Sequence, residues 1–179
     1  MVGPGAPARA PGSIIPGMKA GTVDPARVVI RNATNADHEA IKALVFGVLA
    51  EYGLKPDPKG TDADLDDVEA SYAARGGLFE VLESPDGALL GTVGLYPLGS
   101  GKVELRKMYF VREARGLGLG KKLLTRTIEN ARRLGFSELV LETASVLKEA
   151  IALYTRMGFT AVPSDHLANR CDRAFSMKL

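Results

Sequence analysis

The amino-acid sequence predicts a single α/β or α+β domain in which a mixed β-sheet carries helices on both faces. The first observation is the order of segments, because strand-like and helix-like stretches follow one another as β-α-α-β-β-β-α-β-α-β-β. The second is composition. The chain has 179 residues, of which 46% are hydrophobic, and this is enough for one sizeable core but not for two.

The N-terminal half supplies the first strand and two helices. Val28 to Arg31 has the pattern of a strand, and apolar residues then recur at helical spacing from Thr34 to Gly53, which is expected to end the helix. A proline-containing loop over residues 55–62 precedes a short predicted helix at Asp64 to Ala74.

A central hairpin and the C-terminal elements complete the predicted sheet. The sequence Pro-Asp-Gly at residues 85–87 is typical of a tight turn between two strands. The predicted strands are Leu78 to Glu83, Ala88 to Tyr96, Val103 to Val111, Glu138 to Glu142, Phe159 to Val162 and Arg173 to Leu179, and the predicted helices are Leu119 to Leu134 and Val146 to Met157.

The segment between the fourth predicted strand and the third predicted helix is rich in glycine. Gly116, Gly118 and Gly120 remove the Cβ atoms that would hold a ligand away from the backbone, and they allow positive φ. The first N–H groups of the following helix lack intrahelical partners and, together with the helix dipole, favour an anion. Arg115 and Lys121 add positive charge, so this segment predicts a phosphate or pyrophosphate site.

Two common nucleotide-binding loops do not fit this segment. A Walker A loop requires glycine where Arg115 stands and serine or threonine where Lys122 stands, which disfavours ATP and GTP. A dinucleotide fingerprint requires a third glycine where Lys121 stands, which disfavours NAD. A different phosphate-bearing ligand is therefore expected.

Two ordered motifs resemble the GNAT superfamily of N-acetyltransferases. The signature of that family is Gln or Arg-x-x-Gly-x-Gly or Ala at a junction of strand and helix, and Arg115-x-x-Gly118-x-Gly120 matches it. Further along the chain, Leu-Tyr at residues 153–154 precedes Gly-Phe at residues 158–159, which resembles a later helix of the family. Together the two motifs favour this family over an ordinary flexible turn.

The resemblance implies a fold and a co-substrate. Residues 27–179 are expected to form an N-acetyltransferase domain with a mostly antiparallel sheet, in which the fourth and fifth strands splay apart to admit the pantetheine arm of acetyl-CoA. No metal is implied. The glycine segment would hold the pyrophosphate and the fourth strand would pair with the pantetheine. The residues implied to bind acetyl-CoA are Met108, Tyr109, Phe110, Val111, Arg115, Gly116, Leu117, Gly118, Leu119, Gly120 and Lys121.

Transfer of an acetyl group to an amine requires one group that accepts a proton from the amine and another that protonates the departing thiolate. By resemblance, Tyr154 is the expected acid, because it matches the family tyrosine that faces the sulfur. Glu104 is the expected base, since some family members carry a catalytic glutamate nearby, and Glu142 or ordered water are the alternatives. The family reaction is direct and does not require Cys171 as a nucleophile.

The acceptor pocket is expected at the end of the sheet and in the loop before the last strand. The residues that the resemblance places there are Arg106, His166, Arg170 and Asp172, with a polar surface loop as the alternative interpretation. Many relatives carry an asparagine that contacts CoA seven residues before the helix tyrosine. Leu147 stands at this position, so that polar contact is not expected.

Charge and composition argue against several other functions. The net charge is +2 with both signs interspersed, which disfavours a nucleic-acid partner. The single Cys171 excludes an intramolecular disulfide, and a zinc site is disfavoured because His38 and His166 are the only histidines. No apolar run is long enough to span a membrane. Residues 1–26, rich in proline, glycine and alanine, are expected to form a flexible tail without a targeting signal, so the predicted location is cytoplasmic.

The leading hypothesis is an acetyl-CoA-dependent N-acetyltransferase that acts on a primary amine of a small molecule. The expected acceptor side carries both charges and shows no long acidic groove suited to basic protein tails. Acetylation of protein lysines or N-termini and a non-catalytic acyl-CoA sensor are the alternatives. The identity of the acceptor and the oligomeric state stay open, with a homodimer as one option.

Overall fold

The structure, a computed structural model, describes residues 23–163 and 167–179 of the chain. Its seven-stranded sheet consists of β1 (Val29–Asn32), β2 (Leu78–Glu83), β3 (Leu89–Gly99), β4 (Lys102–Phe110), β5 (Glu138–Thr143), β6 (Thr160–Val162) and β7 (Arg173–Lys178). The α-helices of the described residues are α1 (His38–Glu51), α2 (Val68–Ser71), α3 (Leu119–Arg133) and α4 (Lys148–Arg156).

The strands lie in the order β1-β2-β3-β4-β5-β7-β6. Five of the six neighbouring pairs are antiparallel, and β4 with β5 is the parallel pair. The connection between β4 and β5 contains α3, as a parallel pair requires. The predicted fold class, a mixed and mostly antiparallel sheet with helices, is confirmed.

One hydrophobic core joins the sheet to its two longest helices. Helix α1 turns Ile41, Leu44 and Leu49 into the core, and α3 contributes Leu123 and Leu124. Burial of each such side chain stabilises the fold by about 1.5–3 kcal/mol. Helix α1 packs against β3 and β4, and α3 packs against β3, so the central strands are fixed in place.

Strand β4 loses its partner on one side half-way along its length. It pairs with β5 from Lys102 opposite Glu138 to Leu105 opposite Leu141. Strand β5 then continues along β7, as far as Thr143 opposite Arg173. The two parallel strands therefore diverge beyond Leu105, as the sequence predicts, and the second half of β4 presents a free edge toward the gap.

A β-bulge marks the start of the divergence. Gly94 pairs with Arg106 and Thr92 with Tyr109, so β4 contains one residue more than β3 over this interval. Within the bulge, Lys107 has a φ of +54°, a region that residues other than glycine rarely adopt. The Thr92 hydroxyl donates to the Lys107 carbonyl at 2.6 Å and holds this conformation.

The segment after α1 differs from the sequence prediction. The single helix predicted at residues 64–74 is divided into a 3-10 turn at Ala63–Leu65, the short α2 and a second 3-10 turn at Ala73–Arg75. The reason lies in local capping. The Asp67 carboxylate accepts a backbone N–H and starts a new helix, and Gly76, with a φ of +82°, ends the segment.

Other boundaries shift by two or three residues. Strand β3 continues to Gly99 rather than Tyr96, and α4 begins at Lys148 rather than residue 146. Most of the predicted tail, residues 1–22, lies outside the described residues, and Pro25–Arg27 forms one 3-10 turn. In the part of the chain that the structure describes, no helix has the length and apolarity needed to cross a bilayer.

Candidate active site

The glycine segment joins β4 to α3 and leaves open space above its backbone. Gly116 and Gly118 have φ values of +75° and +78°, and Gly118 is the N-cap residue of α3. This left-handed conformation is the one that glycine adopts without strain. A Cβ atom added to either residue would meet nothing within 4 Å, so a ligand has room to approach the backbone here.

The amides of this segment are available to such a ligand. Within residues 23–163 and 167–179, the N–H groups from Gly116 to Lys121 donate to no acceptor, and the first bonded amide is that of Lys122, 3.1 Å from the Gly118 carbonyl. Free amides and the positive end of the α3 dipole together favour an anion. The segment therefore fits a diphosphate group, and the exposed Lys121 side chain adds a positive charge.

The Arg115 side chain has a different role from the predicted one of adding charge at this rim. Its Nε and Nη2 atoms donate to the Phe110 carbonyl at 3.0 and 2.8 Å, and its Nη1 atom lies 2.7 Å from a carboxylate oxygen of Glu51. The guanidinium group therefore ties the glycine segment to the end of β4 and to α1.

The gap between β4 and β5 is a cleft made of two connected spaces. The inner space, about 70 Å³, is lined by the free half of β4, the end of β5, α4 and the loop before β7. The outer space, about 550 Å³, is lined partly by the loop around residues 60–64. Both spaces share Thr61, Glu104, Arg106, Glu142 and Ala168.

Helix α4 places the hydroxyl-bearing ring of Tyr154 in the inner space. The ring is buried between Phe159 and Phe175, with centroid distances of 5.7 and 6.5 Å. Burial raises the pKa of Tyr154 above its ordinary value, and nearby Tyr109 and Cys171 raise it further. The phenol is therefore protonated at neutral pH.

Two glutamates face the cleft from neighbouring strands. Glu104 accepts from Arg106 Nε at 2.6 Å, and a Glu142 carboxylate oxygen accepts from the Ala168 N–H at 2.8 Å. Burial raises the pKa of Glu104, Arg106 opposes this, and the negative charge of Glu142 adds to the rise. A carboxylate with a raised pKa is a stronger proton acceptor than an ordinary surface glutamate.

Behind the cleft lies an ionic group that we call the Asp62 cluster, made of Asp62, Lys107 and Arg170. Arg170 donates to the two carboxylate oxygens of Asp62 at 2.8 and 2.6 Å, and Lys107 Nζ lies 2.9 Å from one of them. Burial alone would raise the pKa of Asp62, but Arg170, the Asp57 N–H and Lys107 lower it to about 2. Asp62 is therefore ionised at neutral pH.

A second buried acid, Asp64, lies next to the Asp62 cluster. Asp64 accepts from the Tyr72 hydroxyl at 2.6 Å, and its other carboxylate oxygen lies 3.3 Å from Lys107 Nζ, outside hydrogen-bonding geometry. Arg106 lies 3.7 Å from Asp64 and stacks over the Tyr96 ring, 3.8 Å from its centroid. Asp64, Glu104 and Arg106 thus contribute paired charges to the wall of the outer space.

Comparison with known proteins identifies the family. The model of the Acetyltransferase (GNAT) family matches residues 48–159, more than half of the chain. The chain belongs to the GNAT family. This GNAT protein is 42% identical over 142 residues to the uncharacterized N-acetyltransferase YjgM of Escherichia coli, and the match covers 76% of this chain and 84% of that relative. It is therefore an acetyltransferase.

A second relative and a solved structure agree with this family assignment. An uncharacterized N-acetyltransferase of Schizosaccharomyces pombe is 33% identical over 132 residues, covering 73% of this chain and 81% of the relative. The GNAT acetyltransferase structure from Staphylococcus aureus superposes with a TM-score of 0.78 at 23% identity, over 84% of this chain and 98% of that one. At this identity the structural likeness shows the fold.

The GNAT fold brings together most of the residues predicted for its site. Glu104, Arg106, Tyr154 and Arg170 all line the inner space, together with the alternative base Glu142. Leu147, the N-cap residue of α4, also lines it and offers an apolar side chain to this space. The catalytic roles of these residues remain predictions.

The other two residues predicted for the acceptor pocket are not found among the residues that line the cleft in the described structure. Asp172 lines neither space, because its carboxylate accepts from the Ser145 N–H at 2.7 Å and from the Ser145 hydroxyl at 2.6 Å. It therefore fixes the turn between β5 and α4, and this corrects the prediction. His166 lies outside the described residues.

The sequence did not indicate the Asp62 cluster. Asp62 lies in a segment predicted as a loop, and Lys107 lies within the predicted strand Val103 to Val111. The one available signal is that Lys107 follows Val103 and Leu105 at alternate positions of the strand, on the face where a charged side chain requires a partner. Which partner it finds depends on residues far away in the sequence.

Proposed function

We propose that this acetyltransferase transfers an acetyl group from acetyl-CoA to a primary amine of a small molecule, by direct attack within a ternary complex. One observation carries the proposal. The free half of β4 leads, at one end, into a glycine segment with unpaired amides and borders, along its length, a cleft that contains Glu104, Glu142 and Tyr154. Cofactor binding and proton transfer would thus take place along one strand.

The residues that would hold acetyl-CoA form a continuous path. The amides from Gly116 to Lys121 would bind the diphosphate, and the free edge of β4 at Met108 to Phe110 would pair with the pantetheine arm as an added strand. When bound, acetyl-CoA supplies an activated acetyl thioester. Positioning alone lowers the barrier of such a transfer by several kcal/mol.

Proton movement is assigned to three side chains. An amine attacks only in its neutral form, so Glu104 or Glu142 would accept its proton, directly or through water. Tyr154, kept protonated by burial, would donate to the sulfur that departs. Burial also raises the pKa of Cys171 to about 11, so its thiol is neutral and unsuited to form an acyl-enzyme.

A small acceptor is favoured by the dimensions of the outer space. At about 550 Å³ it falls within the usual range for small-molecule sites, and it is bordered by short loops at residues 60–64 and 168. A structural neighbour from Salmonella typhimurium, with a TM-score of 0.67 and 24% identity over 85% of this chain and 94% of its own, was solved with acetyl-CoA. That neighbour supports the choice of co-substrate.

The test is thiol release from acetyl-CoA across a panel of small primary amines, with CoA binding measured in parallel by calorimetry. We expect acetyl-CoA binding in the absence of amine and thiol release that depends on both the enzyme and one class of amine. Mass spectrometry of the product would identify the acetylated nitrogen. Tight CoA binding without thiol release for every amine, in a folded protein, would contradict the proposal.

A further inference from the structure

The cleft contains three cationic side chains, and each of them lies within ion-pair distance of an acid. Arg106 is bonded to Glu104 at 2.6 Å. Lys107 lies 2.9 Å from Asp62 and donates to the Thr61 carbonyl at 2.7 Å, and Arg170 forms a two-point pair with Asp62. A guanidinium group with two bonds to one carboxylate has little capacity left for another carboxylate.

Asp62 pairs with two of these cations from a position outside the cleft, and Asp64, 3.3 Å from Lys107 Nζ, supplies the second negative charge that balances them. Its side chain is 0% exposed and lines neither space, whereas Lys107 and Arg170 both line the inner one. A fully buried carboxylate is tolerated only when its charge is compensated, and the bonds from Lys107, Arg170 and Asp57 do this. The pairing is therefore fixed rather than exchangeable with solvent or substrate.

Glu142 is left without a cation. In the described parts of the chain it makes no ion pair, and its hydrogen bond comes from the neutral Ala168 amide. It lines both spaces, as does Glu104, whose charge is shared with Arg106. Among the described residues that line the cleft, the uncompensated charge is therefore negative.

We propose that Asp62 is a specificity-determining residue. By pairing with Lys107 and Arg170 it cancels, together with Asp64, the positive charges that would attract a substrate carboxylate. Glu142 and Glu104 are then left to select amines that lack a carboxylate. The acceptor class is then an alkyl amine or diamine rather than an α-amino acid. This inference rests on the proposed acetyltransferase function and adds the chemical class of its acceptor.

The test compares three acceptors of similar size that differ in charge: butylamine, 1,4-diaminobutane and ornithine. For the full chain we expect kcat/KM for diaminobutane to exceed that for ornithine by at least about tenfold, a typical effect of one close charge. In Asp62→Asn, Lys107 and Arg170 lose their counter-charge, so this ratio is expected to fall about tenfold. A general loss of structure would lower both values and leave their ratio unchanged.

The matched control is Asp37→Asn. Asp37 forms the same two-point pair with Arg31, at 2.9 and 2.9 Å, but lines neither space. We expect it to leave the ratio unchanged. A second variant, Arg170→Leu, removes a cation while Asp62 keeps Lys107, so the ratio is expected to rise. This variant provides the test if Asp62→Asn does not fold.

Two outcomes would overturn the inference. One is a wild-type preference for ornithine. The other is a ratio that stays within about twofold of wild type in every folded variant of Asp62 and Arg170, a change too small for a charge effect. If no amine is acetylated at all while CoA still binds, the proposed function itself fails, and this result is distinct from a changed ratio.

Discussion

The two ends of the cleft are built from different parts of the polypeptide. At the cofactor end, the glycine segment offers backbone amides and open space, and the nearest arginine, Arg115, is turned toward β4 and α1. At the other end, charged side chains line the cleft, and the buried Asp62 lies behind two of them, Lys107 and Arg170. We therefore expect backbone geometry to determine anion binding at the first end and the balance of side-chain charges to determine which acceptor binds at the second.

The free amides of the glycine segment and the buried ions of the Asp62 cluster also differ in how much free energy they cost the folded protein. Free amides at a helix start are exposed to water and cost little when the site is empty. Buried ions must be desolvated, and removing one partner leaves an uncompensated charge that costs about 3–5 kcal/mol. Changes at the cofactor end should therefore alter binding more than stability, and changes in the Asp62 cluster should alter both.

The largest effect is expected from Gly118→Glu. The new side chain would fill the space above the amides and place a negative charge where the diphosphate binds, so CoA affinity should fall by about 1000-fold. Calorimetric titration measures this loss. Gly135→Glu is the matched control, because Gly135 also has positive φ, at +85°, and open space around it, but lies beyond the end of α3. Equal affinities for both variants would refute the anion site.

Tyr154→Phe should lower kcat by about 100-fold while the Kd for CoA stays unchanged, because the ring remains and the proton donor is lost. A thiol-release assay measures kcat, and calorimetry measures the Kd for CoA. Tyr52→Phe serves as the control, since Tyr52 lines neither space. A parallel loss of kcat and CoA affinity would indicate that Tyr154 has a packing role instead.

The difference between the two ends also explains what could be predicted from the sequence. The cofactor end depends on consecutive residues, so Gly116 and Gly118 predict its position, and the splay of β4 from β5 follows from the family resemblance. The Asp62 cluster joins residues separated by 108 positions along the chain, as Asp62 and Arg170 are, and no local pattern records such a pair. The divided helix at residues 63–75 depended on the capping by Asp67.

The pH dependence tests which carboxylate accepts the proton. The base must be ionised, and burial raises the pKa of Glu104, so kcat at saturating amine should increase with pH up to a limit above the ordinary titration range of glutamate. Glu104→Gln should lower kcat about tenfold and abolish this dependence. Glu138→Gln, which changes a glutamate bonded to two lysines at the start of β5, is the control. Persistence of the dependence in Glu104→Gln and its loss in Glu142→Gln would transfer the role to Glu142.

The smallest effect on cofactor binding is expected from Arg115→Met, although Arg115 belongs to the signature motif. Its guanidinium is bonded to the Phe110 carbonyl and to Glu51 and therefore does not face the free amides, so CoA affinity should change by less than about threefold. The free energy of unfolding should fall by about 1 kcal/mol, as is typical when such hydrogen bonds are lost.

Lys121→Met provides the contrast, because the exposed charge of Lys121 lies beside the proposed diphosphate site and its removal should weaken CoA binding in a salt-dependent way. If Arg115→Met instead weakened CoA binding more than Lys121→Met and left stability unchanged, side-chain charge rather than backbone geometry would be the main determinant at the cofactor end.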